Sequence, residues 1–132
     1  MNNNKKILVV EDNELNLKLF CDLLKLNNYT VFPLTDGFLV EDVIPQIQPD
    51  LIIMDIQLKG ISGLDIIKNI KSSDQYKTIP IIAVTAFAMK HDEEVILSTG
   101  CEGYISKPVS IKNFLEKVNY FLERNTQLNE EV

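Results

Sequence analysis

The chain has 132 residues, 45% apolar and 24% charged, with a formal net charge of -6 and a pI near 4.7. That length fits one domain whose core needs no disulfide or metal staple. The acidic balance argues against a nucleic-acid binder, which carries a basic face, and against an anionic membrane surface, so a protein partner, a cation or both are expected.

Cys21 and Cys101 form no CxxC pair and no signal-peptide pattern is present, which points to a reducing, cytoplasmic setting. The longest apolar run, residues 51–54, is far too short to span a bilayer, so no membrane insertion is expected.

In chain order, the apolar pattern alternates between short β-branched runs and stretches of helical period. A strand is predicted at residues 7–10. A helix follows over 13–27, with Leu15, Leu19, Phe20, Leu23, Leu24 and Leu26 on a broad face. The next strand covers 30–34. The helix after it carries Leu39, Val40, Val43, Ile44 and Ile47, and Pro45 inside it is expected to distort or shorten it. A strand at 51–54 leads to a third helix marked by Ile66, Ile67 and Ile70. A strand at 81–84 leads to a fourth helix with Val95, Ile96 and Leu97, which Gly100 ends. The last strand, 103–105, is the least apolar. The last helix puts Ile111, Phe114, Leu115, Val118, Phe121 and Leu122 on one stripe, with Ser110 as its N-cap.

Continuous apolar runs of strand length suit a parallel sheet buried on both faces, and five βα repeats imply right-handed crossovers with helices on each side. In such a sheet, ligands bind beyond the carboxyl ends of the strands. The residues leaving the strands are Glu11 and Asp12, Asp55, Thr85, and Lys107 followed by Pro108. Each alone has an ordinary reading. Glu11 and Asp12 suit a helix N-terminus, Asp55 a turn, Thr85 a strand-end hydroxyl bonded to backbone, and Lys107 a solvated surface. Their coincidence on one rim outweighs those readings.

Three carboxylates and one ammonium leave an excess of negative charge, and packed carboxylates resist ionising unless a cation joins them. Mg²⁺ suits a site of few protein oxygens and several waters. An ionised carboxylate can then attack a phosphoryl group to give an acyl phosphate, with Mg²⁺, Lys107 and the Thr85 hydroxyl meeting the charge on the transferring oxygens. The product replaces one negative charge by about two, enough to reorganise nearby loops.

The segments LVVEDN, IIMDIQL, VTAFAMK and YISKP resemble the receiver (response-regulator) family, over residues 6–122, and within it the single-domain receivers of bacterial cell-cycle control. The resemblance implies a doubly wound (βα)5 fold with strand order 2-1-3-4-5, a receiver domain over 1–124 and a polar tail over 125–132. It implies Asp55 as phosphoacceptor, and Mg²⁺ on Asp12, Asp55 and the backbone carbonyl of Gln57, with Glu11 acting through water. It also implies Thr85 and Tyr104 as a switch pair read out on the fourth helix, last strand and last helix. A sensor histidine kinase or phosphotransfer protein would be the donor, and a downstream kinase or adaptor a further partner. The protein would act by protein contact as a monomer or weak dimer, with no DNA-binding output and no catalysis beyond its own phosphoryl transfer and slow dephosphorylation.

Departures from the family pattern sit beside the phosphoacceptor. The loop reads Gln57-Leu58-Lys59-Gly60, with no proline; Lys59 adds a positive charge and Gly60 is expected to loosen the loop. Phe87 is expected to hinder hydrolytic water. His91, the one histidine, reads as a solvated helix-end residue, since no other ligand pattern accompanies it. Two other classes fit less well. A flavin carrier needs a donor-rich turn where Glu11 and Asp12 stand, and an aspartyl phosphohydrolase needs an acid where Gln57 stands. There is no GxxxxGK[ST] loop.

Overall fold

The computed structural model describes residues 5–86 and 89–130, with side chains as far as Glu123. The elements run β1 (Lys6–Val10), α1 (Glu14–Leu26), β2 (Thr30–Leu34), a single 3-10 turn (Gly37–Leu39), α2 (Val40–Ile47), β3 (Leu51–Asp55), α3 (Gly63–Lys71), β4 (Ile81–Thr85), α4 (Lys90–Leu97), β5 (Gly103–Ser106) and α5 (Ile111–Glu130). All four strand pairings are parallel, in the order β2-β1-β3-β4-β5. The five-strand, five-helix expectation holds in type and order.

Alternate strand residues face opposite layers. Ile7, Val9, Leu51, Ile53, Ile82 and Val84 pack with Phe20 and Leu24 of α1 and with Phe114, Val118 and Leu122 of α5. Phe20 and Phe114 stack with ring centroids 5.1 Å apart. Leu8, Val10, Ile52, Met54, Ile81 and Ala83 face the other way, against Val40 and Ile44 of α2, Ile66, Ile67 and Ile70 of α3, and Ile96 of α4. Every residue of β3 and β4 is buried. The edge strands are not: β2 is only half-buried, and its Pro33 sits exposed where an edge tolerates a missing N–H.

Local chemistry sets the helix ends. Asn13 caps α1, its Oδ1 accepting from the Asn16 N–H at 3.0 Å. Ser62 caps α3 through the Leu64 N–H, and Ser110 accepts from the Asn113 N–H at the start of α5. Pro45 stands inside α2, which ends two residues later with Gln48 in the left-handed region. α4 ends at Leu97, and Gly100 adopts φ 93° in the turn that follows. α5 runs as one helix from Ile111 to Glu130. The apolar face of α1 is narrower than the leucine pattern implied: Leu15 and Leu26 are largely exposed, and Cys21 is buried in their stead.

Candidate functional site

Strand order reverses at β1, whose chain goes first to β2 on one side and then to β3 on the other. The crevice at that reversal is therefore framed by the residues that leave β1 and β3. Glu11 and Asp12 follow β1, and Asp55 ends β3. One carboxylate oxygen from each lies within 4.8 Å of the others. Because Asn13 takes the capping task at α1, Glu11 and Asp12 are left to the crevice. Lys107, leaving β5, brings Nζ to 3.2 Å from Glu11 Oε1 and 3.3 Å from Asp55 Oδ2. Its peptide bond to Pro108 is cis.

Glu11 and Asp55 are almost wholly buried, and Asp12 is half-buried at the mouth. Burial pushes the Glu11 carboxyl up to about 7, helped by its hydrogen bond to Asp55 and the charge there; the Asn13 N–H, 3.2 Å from Oε2, and Lys107 pull the other way. Burial works against the charge on Lys107, but Asp55 and Glu11 outweigh it and hold its pKa above the ordinary lysine value. Glu11 Oε1 is buried, and what it meets among the described residues is the ion pair with the Lys107 ammonium at 3.2 Å. Three carboxylates within the reach of one ion make an all-oxygen cluster that suits a hard divalent cation such as Mg²⁺.

The loop after β3 closes the site. The Gln57 N–H donates to Asp55 Oδ1 at 3.0 Å, and the Lys59 N–H donates to Asp12 Oδ2 at 2.8 Å. The side chain of Gln57 reaches β4: Nε2 donates to Thr85 Oγ1, and Oε1 accepts from the Ala86 N–H, each at 3.1 Å. Sequence reading assigned Gln57 only through its carbonyl, and neither the amide bridge nor the Lys59 N–H carries a residue-type signal that would have disclosed it. Gly60 has φ 79°, a left-handed turn that its lack of a side chain permits, with the Phe38 ring below; glycine here sets a conformation rather than loosening the loop. Phe87 lies outside the described residues.

Tyr104 stands apart from the carboxylates on β5, half-buried between α4 and α5. A hydrogen bond to Glu93 raises its phenol pKa, so the hydroxyl is not simply in water. Lys117 Nζ lies 5.5 Å from its ring centroid and donates to its carbonyl at 2.8 Å. His91 is exposed on the first turn of α4. Among the described residues, no helix is long and apolar enough to cross a membrane.

The family model for the response regulator receiver domain matches residues 7–119. The chain belongs to the response regulator receiver family. Similar curated proteins include the polar-differentiation response regulator DivK of Brucella anthropi, 49% identical over 118 residues, covering 89% of this chain and 96% of that protein. The DivK of Brucella ovis is 48% identical over the same span. Among solved structures, a putative response regulator from Chloroflexus aurantiacus superposes with a TM-score of 0.86 at 24% identity, covering 91% of this chain and 98% of that one. The receiver domain of a sensor histidine kinase from Pseudomonas aeruginosa, solved with a magnesium ion in its active-site cleft, has a TM-score of 0.83 and 28% identity, covering 91% of this chain and 98% of that one. This receiver is thus a signalling protein of the two-component class, with DivK-type single-domain regulators among its relatives.

Proposed function

We propose that Asp55 of this receiver accepts a phosphoryl group from a histidine kinase or phosphotransfer protein and that the gain in charge alters its affinity for protein partners. The observation that carries this reading is the setting of Asp55: one carboxylate oxygen faces Lys107 Nζ at 3.3 Å, the other receives the Gln57 N–H at 3.0 Å, and two further carboxylates stand beside it at the strand-order reversal. Asp12, Asp55 and the Gln57 carbonyl would hold Mg²⁺, with Glu11 supporting it through water. When bound, Mg²⁺ supplies positive charge that keeps the carboxylates ionised and offsets the charge of the incoming phosphoryl oxygens.

Asp55 forms its new O–P bond as the P–N bond of the phosphohistidine breaks, and the freed imidazole nitrogen keeps the electron pair. Lys107 meets the phosphoryl charge from the β5 side, and Thr85 turns its hydroxyl to a phosphoryl oxygen from the β4 side. Movement at Thr85 leaves room for Tyr104 to turn inward, which would require release from Glu93 and carry the change to α4, β5 and α5. That surface would then select a kinase or adaptor, with no nucleic acid and no membrane insertion, as a monomer or weak dimer in the cytoplasm. The name of the DivK relatives favours a role in polar differentiation, and the resemblance to single-domain cell-cycle receivers favours the same developmental setting.

Acetyl phosphate or phosphoramidate with Mg²⁺, read by intact mass, tests the chemistry. One phosphoryl group is expected on the parent and none on Asp55→Asn or after prior addition of EDTA. Phosphorylation of the Asp55→Asn variant to the same extent would refute the assignment.

A further inference from the structure

Gln57 does more than present its backbone to the carboxylates. Its amide spans from β3 to β4, and the two contacts fix which end points where: the Ala86 N–H can only donate, so oxygen must face it, and nitrogen then faces Thr85 Oγ1. Thr85 ends β4 directly after Val84, the register partner of Asp55, and Ala86 follows it, so both flank the space a phosphoryl group on Asp55 would enter. Phosphoryl oxygens accept hydrogen bonds and donate none. They need the Ala86 N–H and a Thr85 hydroxyl that donates, whereas in this structure the N–H is engaged and Thr85 Oγ1 is accepting.

We propose that the Gln57 side chain is a latch that occupies the phosphoryl-binding groups of β4 in the unphosphorylated protein, so that it is a positioning residue setting how readily the phosphorylated arrangement forms. This deepens the phosphoacceptor reading and rests on it. On phosphorylation two hydrogen bonds change partners. The Ala86 N–H passes from Gln57 Oε1 to a phosphoryl oxygen, and Thr85 exchanges acceptance from Gln57 Nε2 for donation to the phosphoryl group. The displaced amide is half-exposed and turns to water, so no polar group is left stranded. The latch therefore opposes activation by about the worth of one net hydrogen bond, roughly fivefold in an equilibrium constant.

Gln57→Met keeps the length of the side chain and removes both bonds; Gln57→Glu keeps an acceptor for the Ala86 N–H. Two measurements separate the latch from the chemistry. The first is amide hydrogen exchange at Ala86 in the unphosphorylated, Mg²⁺-free protein, where no phosphoryl chemistry is involved. Exchange about fivefold faster in Gln57→Met, with protection regained in Gln57→Glu, is expected. The second is titration with beryllofluoride in excess Mg²⁺, followed by the Thr85 resonances. Half-saturation at about fivefold lower beryllofluoride is expected for Gln57→Met. Unchanged Ala86 exchange in Gln57→Met overturns the latch, as does equal or weaker beryllofluoride binding beside faster exchange. A parent that binds no beryllofluoride overturns the phosphoacceptor reading itself, an outcome distinct from a parent that binds and a variant that matches it.

Discussion

The raised pKa of Glu11 makes Mg²⁺ binding a proton-releasing event, and the size of the effect follows from the pocket. Below pH 7 the metal-free crevice keeps a proton on Glu11, because burial and the neighbouring Asp55 disfavour its charge. A divalent cation held beside it, even through a water, favours the ionised carboxylate, so the proton leaves. With the carboxyl pushed up to about 7, it is about nine-tenths protonated at pH 6 and about one-tenth at pH 8. The apparent Mg²⁺ affinity should then rise about tenfold between those pH values, with about half a proton released per Mg²⁺ at pH 7. Isothermal titration in two buffers of different ionisation heat reads both quantities. Glu11→Gln should flatten the profile, because it removes the carboxyl that carries the proton. An affinity that does not change from pH 6 to 8 in the parent would refute the assignment, and so would a slope that survives in Glu11→Gln.

The same proton affects stability, with a sign set by its direction. Glu11 titrates near 4.5 in the unfolded chain and about 7 in the folded one. The folded state binds the extra proton between those values, so its contribution is fully present below pH 4.5 and is lost as pH rises to 7. At about 1.4 kcal/mol per pH unit the loss is about 3 kcal/mol. Mg²⁺ should therefore raise the melting temperature more at pH 8 than at pH 6.

Two substitutions away from the carboxylates test the frame around them. At Gly63 an added Cβ would lie 2.3 Å from the Asp55 carbonyl oxygen and 2.7 Å from the Ile56 Cα, backbone atoms that cannot rotate aside; Gly63→Ala should cost about 3 kcal/mol and lower the melting temperature by on the order of 10 °C, with slower phosphorylation of Asp55. A melting curve within about 2 °C of the parent would contradict that close approach. Lys71 Nζ, at the other edge of the sheet, donates to the carbonyls of Lys77 and Ile79 and pairs with Glu102 at 2.7 Å, while Glu102 accepts from the Ile81 N–H. Lys71→Met should cost about 2 kcal/mol in urea denaturation and leave Mg²⁺ affinity unchanged; a parallel loss of Mg²⁺ binding would show that the two edges are coupled.

The sheet was legible because parallel strands covered on both sides read as continuous apolar runs, as β3 and β4 do up to the polar residues that end them. The carboxylates, Thr85 and Lys107 were legible because a topological rule says where strand ends meet. Where the pattern misled, the cause lies in neighbours that sequence does not list. β2 reads like a buried strand, yet among the described residues it is an edge strand, so Pro33 is accommodated there. Leucines on α1 read as core, but the sheet and α5 cover only the face of Phe20, Cys21 and Leu24, leaving Leu15 and Leu26 outside. On α4, Ile96 alone is fully buried, while Val95 and Leu97 stay exposed beside it. The bonds of Tyr104 to α4 and α5 depend on side-chain reach across separate elements, for which no periodicity exists.

That limit also explains why the loop after β3 matters more than its composition suggests. Through the N–H of Gln57 it touches Asp55, through its amide Thr85 and Ala86, and through the N–H of Lys59 it touches Asp12. A group added to Asp55 competes for the first two contacts, and a cation held by Asp12 competes for the third. A phosphoryl group on Asp55 and a cation on Asp12 would thus be linked through this loop as well as through their charges. Such a link would require no movement of the sheet backbone, since β3 and β4 are buried along their whole length.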